Sequence, residues 1–182
     1  MPQVVFHIVF AMLVAEFIRE YIVKNKKKFP IHYVFIAGIA GILPDLDIAA
    51  FYILYFFGFT ISEVHRTFTH TLFIPLFFIL LAFVSLMFNS RDHAREIGKR
   101  HMTFHNIFLM IALGWLTHLV LDAVIAGVVR PFYPFWDFAV GLNLLNYLPE
   151  ALRGLFIPSL DAAIFILWLC WMEYRHKLSR VL

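Results

Sequence analysis

Gly41-Ile42-Leu43-Pro44-Asp45-Leu46-Asp47 stands in the middle of an apolar segment, and His65-Arg66-Thr67-Phe68-Thr69-His70 leads into the next one. Carboxylates and imidazoles in such surroundings are costly unless each finds a partner, and a metal ion satisfies several at once. Pro44 removes a backbone donor and loosens the helix around it. Two residues two apart point to different faces of a straight helix, but in a broken turn Asp45 and Asp47 can converge. Irregular backbone at membrane depth is tolerated only where protein or a polar cavity lines it.

The rest of the chain has the composition of a membrane protein. Of its 182 residues, 62% are hydrophobic and 15% charged, with a mean hydropathy of +0.82. A soluble domain averages about 45–50% apolar and about 25% charged residues. Five apolar runs follow one another: 4–23, 33–57 with its proline break, 71–88, 106–129 and 152–172. The expected fold is all-α, a single integral membrane domain over residues 1–182 with about five spanning helices and a broken second one. The first run lacks the basic start and small-residue cleavage site of a secretory signal. The net charge of +3 does not point to nucleic acid, because the basic residues fall between apolar runs. Lys24 to Lys28, Arg91 to Arg100 and Arg175 to Arg180 occupy alternate connections. The positive-inside rule then places the N-terminus outside and the C-terminus in the cytoplasm of a multi-pass plasma (inner) membrane protein. The segment 130–150, rich in proline and aromatics, suits the headgroup level.

On that topology the polar residues share a depth. At 1.5 Å per residue, Asp45 and Asp47 lie roughly 18–21 Å from the inner surface, His118 and Asp122 roughly 20–26 Å, His7 roughly 24 Å and His70 roughly 27 Å. All fall in the outer half of a core about 30 Å thick. His118 and Asp122 are four apart and share a helix face. With Cys170 the sole cysteine, a metal would be held by nitrogen and oxygen, which suits zinc, or manganese, better than magnesium or calcium. The expected ligands are His7, Asp45, Asp47, His65, His70, His118 and Asp122. Asp45 or Asp47 can bridge two ions or take a proton from water. Arg66 offers a fork-shaped cation for a phosphate oxygen.

Each residue also has a plainer reading. Asp45 can cap a helix start, as can Thr69. His7 can be a hydrogen-bonding strut, and His118 with Asp122 can join two helices. Glu16, Arg19 and Glu20 read as structural. His93, His101, His105 and His176 read as solvated residues near the charged inner side.

The chain resembles the YdjM-like membrane-bound, predicted metal-dependent hydrolases. The resemblance rests on His7, on Leu-Pro-Asp-Leu-Asp (43–47), on His-Arg-Thr-Phe-Thr-His (65–70), on His-Leu-Val-Leu-Asp (118–122) and on the aromatic-proline stretch 130–135. It departs from the family pattern at Phe10 and Ala11, where a glycine is common, and at 124–127, where Thr-Pro-Tyr-Gly is common. The family's ligand types are distantly similar to those of zinc-dependent phospholipase C, which implies phosphoester hydrolysis, with membrane lipids and a lipid-like phosphoester as partners. Two other functions fit the same residues: a divalent-metal transporter or channel, and a structural membrane protein whose polar residues only join helices.

Overall fold

Each apolar run folds as helix, and the interruptions fall where backbone chemistry forbids continuation. In the computed structural model, which describes residues 4–25, 28–89 and 102–176, α1 covers Val4–Phe17 and continues as a π-helical stretch, Ile18–Val23. It stops at Lys24, whose φ of 57° is left-handed. Helix α2 (His32–Ala40) ends at Gly41, a 3-10 turn holds Leu43–Asp45, and α3 (Leu46–Leu54) resumes the path. Pro44, with no N–H to donate, sits inside that turn. Asp45 occupies the N-cap position of α3, yet its side chain makes no capping bond there. The short α4 (Ile61–Val64) opens with a capping box, Thr60 N donating to Glu63 Oε2 at 2.7 Å. Helices α5 (Phe73–Asn89) and α6 (Phe104–Leu121) follow, and α6 passes into a second π-helical stretch, Asp122–Ala126. Helix α7 (Glu150–His176) completes the bundle. Among the described residues there is no strand, only an isolated bridge between Val129 and Val140.

Among the described residues, three helical segments are long and apolar enough to cross a membrane: His32–Phe57, Phe104–Ile125 and Glu150–Arg175. The helix at Phe73–Met87 is equally apolar but shorter. The helix before them, α1 with its π-helical continuation, carries Glu16, Arg19 and Glu20 in its last turns. Arg19 and Glu20 are tied up locally. Arg19 Nε donates to Phe29 O at 3.0 Å, and Glu20 pairs with Arg19 and with Arg175 of α7, each at 3.1 Å. That set joins α1 to α7 at one end of the bundle, in keeping with the structural reading of these residues.

Helix α6 is the central element, packed on α1, α2 and α5, while α7 leans on α1. Without a hydrophobic drive between helices in lipid, close backbone contact does much of the packing. Gly114 makes the tightest approach: a Cβ there would strike Ala37 O, with the Ala40 Cβ at 2.7 Å and Gly41 N at 2.8 Å. Met12, Tyr33, Val34, Ala37 and Met110 fill the core on one side of this contact, and Phe6, Leu121 and Ile125 fill it on the other.

Candidate metal centre

The broken second helix, the 65–70 segment and the end of α6 meet around one point, and α1 closes it with His7. His7, His70 and His118 are at most 1% exposed, and Asp122 is 2% exposed. The contact at Gly114 brings His118 against the end of α2, where His118 Nδ1 lies 2.7 Å from Gly41 O. A carbonyl only accepts, so Nδ1 carries the proton and Nε2 presents a lone pair.

The Asp47 carboxylate builds the 65–70 segment in the same way. Its Oδ1 accepts from His65 Nδ1 at 2.8 Å, and its Oδ2 accepts from Thr69 Oγ1 at 2.7 Å and from Arg66 N at 3.1 Å. Because the Thr69 hydroxyl donates to Asp47, it accepts from His70 Nδ1 at 2.9 Å. The proton of His70 is therefore also on Nδ1, and its Nε2 is bare. Trp115 Nε1 fixes the segment from α6 by donating to Thr69 O at 2.8 Å.

His70 Nε2 and His118 Nε2 face each other at 3.2 Å. Two lone pairs at that distance repel unless something positive lies between them. Around them, Asp45 Oδ1 stands 3.5 Å from His118 Nε2 and 3.7 Å from His70 Nε2. Asp122 Oδ2 is 3.6 Å from His70 Nε2, and Asp122 Oδ1 is 3.6 Å from His7 Nε2. These separations are too long for hydrogen bonds. They match donors sharing an ion, because two ligands at about 2.0–2.1 Å on a tetrahedral centre stand roughly 3.3–3.4 Å apart. Neither ring nitrogen of His7, nor His65 Nε2, has a hydrogen-bond partner, although all three are buried. The His7 ring stacks on His118 with centroids 3.9 Å apart.

Among the described residues, three groups have one ligand atom from each member within 4.8 Å of the others: His7, Asp45 and His118; Asp45, His65 and His70; and His70, His118 and Asp122. Six of the seven expected ligands fall in them, and Asp45, His70 and His118 each belong to two. Asp47 belongs to none and stands behind His65 and His70. Such a carboxylate–histidine pair fixes the ring and raises the basicity of its inner nitrogen.

Arg66 adopts φ 63°, an uncommon value for a residue with a side chain. Its Nη2 lies 2.8 Å from Asp122 Oδ2. The guanidinium lies over Gly127, where a Cβ would collide with Nη1. On its outer side Arg66 lines a cleft of about 560 Å³ with His65, Thr67, Val128 and Arg130. The centre thus opens outward through the segment that also supplies two of its histidines.

Several site features are not in the sequence reading. Thr69 bonds Asp47 instead of capping a helix. Gly127 makes room for Arg66. Asp161 of α7, 6% exposed, accepts from Phe6 N at 3.1 Å and so caps α1 one residue from His7. An acid alone in the apolar run 152–172 was the available signal. His105, expected to be solvated, is half-buried with Nδ1 3.0 Å from Ala82 O. His93 and His101 lie outside the described residues.

Membrane-length helices around a buried cluster of imidazoles and carboxylates define the class: an integral membrane protein with a cluster that could hold a metal ion. The chain belongs to the YdjM inner membrane protein family, whose model matches residues 1–178. No curated protein and no solved structure matches it.

Proposed function

We propose that this protein is a membrane-embedded, metal-dependent phosphoesterase. The opposed bare nitrogens of His70 and His118, 3.2 Å apart with two carboxylates beside them, carry the reading. His7, Asp45, His65, His70, His118 and Asp122 would hold one or two ions, zinc first and manganese second by donor type. A divalent ion bound there supplies Lewis acidity and lowers the pKa of water towards neutrality.

The chain's own groups supply the rest. Asp45, the least buried acid of the cluster at 15% side-chain exposure, is placed to take the proton of an attacking water. Asp47 is occupied by three donors, so its part is to orient His65 and His70. Arg66, held by Asp122 and exposed to the cleft, binds a phosphoryl oxygen as charge develops on it. The buried helices exclude bulk water from the inner side.

The test is metal content and turnover on the same purified sample. Detergent-solubilised protein is expected to hold about one to two ions, by the two-ion logic, and to cleave a phosphoester with no gradient imposed. Zinc flux into proteoliposomes without hydrolysis of any phosphoester would instead make it a transporter.

A further inference from the structure

The cleft outside Arg66 contains a second guanidinium that the proposed chemistry does not use. Arg130 lines it together with His65, Arg66 and Thr67, and among the described residues no acid lines it. Arg130 is held by Asp137, Nε to Oδ1 at 3.1 Å, and both side chains are about half exposed or more. Exposed pairs of this kind are weak, and the bond uses one of five guanidinium donors. An arriving anion can therefore take Asp137's place.

A separate apolar hollow of about 270 Å³ adjoins the cleft at Thr67. Ala50, Leu54, Phe59, Val64 and Phe68 supply its apolar lining, and Asp47, Glu63, Thr67 and Thr69 also border it. It lies along α3, whose Leu46, Tyr52 and Ile53 are exposed apolar residues on a membrane-length segment. A cationic cleft continuous with a greasy hollow on a lipid-facing helix is complementary to an amphiphile.

Building on the phosphoesterase reading, we propose that the substrate is a lipid phosphomonoester. Its phosphate sits between Arg66 and Arg130, and one acyl chain lies in the hollow past Thr67. A phosphomonoester carries about −1.5 to −2 charges at neutral pH, which two guanidiniums match, whereas a phosphodiester carries one. Hydrolysis breaks the P–O bond to the lipid alcohol, water's oxygen goes to phosphorus, and a proton goes to the departing alkoxide. The products are inorganic phosphate and a neutral diacyl lipid, which leaves sideways into the bilayer.

The test separates recognition from turnover. Binding is measured calorimetrically on the full chain in maltoside micelles, above the second ionisation of the probes. The probes are the uncleavable phosphonate analogue of dioctanoyl phosphatidate, its singly charged methyl ester, and methylphosphonate. Arg130→Gln should weaken the phosphonate about tenfold, the loss of one charged hydrogen bond, and leave the methyl ester within about twofold. Leu54→Trp, or Phe59→Trp if the first variant fails to fold, should weaken the phosphonate and leave methylphosphonate unchanged. Equal weakening of both lipids by Arg130→Gln would overturn the two-charge selection. Methylphosphonate binding as tightly as the lipid would overturn the chain site and make free phosphate the ligand. If the binding pattern holds but metal-loaded wild type releases no phosphate from dioctanoyl phosphatidate, this recognition stands and the phosphoesterase reading falls.

Discussion

Asp47 holds the backbone of Arg66 in a left-handed turn: Oδ2 accepts Arg66 N at 3.1 Å, and the residue sits at φ 63°. A strained backbone of this kind costs about 1–3 kcal/mol and persists only where its surroundings fix it. The same carboxylate orients His65 and, through Thr69, His70. Asp47→Asn would set an amide N–H against those donors. It is expected to lower metal affinity about 10- to 100-fold, as loss of an outer carboxylate does elsewhere. Competition with a chromophoric chelator measures this, and unchanged affinity would mean that Asp47 supports only the fold.

His118→Ala and Asp122→Ala should each remove metal and turnover together. A bound ion stabilises the folded state by about 2.7 kcal/mol when free metal is 100 times its Kd. EDTA should therefore lower the Tm of wild type and leave that of either variant where it was. Full occupancy in both variants would reduce the pair to a helix-joining contact.

Gly127→Ala tests Arg66 without touching a ligand. The new methyl group would occupy the space of the guanidinium. Substrate affinity or turnover should fall at least about tenfold, the scale of one charged hydrogen bond, with metal content unchanged. Loss of metal in this variant would show that the Arg66–Asp122 pair also shapes the centre.

Much of this arrangement is legible in the sequence because buried charge is rare enough to notice. His7, Asp45, His118 and Asp122 stand out as polar residues in apolar runs, His65 and His70 as imidazoles leading into one, and depth counting brings all of these but His65 to one level. Asp47 stood out equally, but its different task rests on three donors that only the folded turn supplies. Gly114 and Gly127 were not legible, since a glycine's reason lies in what approaches it from another helix. Arg130 falls in the segment read as lying at the headgroup level, and only the fold brings it to the cleft that Arg66 also lines. The shorter reach of α5 and the charges closing the first helix mark where a count of apolar runs outpaces a count of membrane-length helices.

The alternating basic connections predict an orientation, and labelling tests it. Cys170 is exposed on α7 and must first be replaced by serine. Single cysteines at Asn25 and Arg180 should then react with membrane-impermeant maleimide only after permeabilisation, and a cysteine at Tyr147 before it. The reverse pattern would turn the cleft to the cytoplasmic side.

The contact between Gly114 and the end of α2 bears on which ions the centre would accept. His118 is fastened to the Gly41 carbonyl while the backbones of the two helices already touch. The frame therefore has little room to contract or dilate with its guest. Calcium takes six to eight oxygen ligands at 2.3–2.6 Å, and His118 could draw back to make room for it only by parting α2 from α6. The main chain at Gly41 and Gly114 would thus act as a stop on one imidazole of the cluster, a limit on ionic radius set by backbone contact.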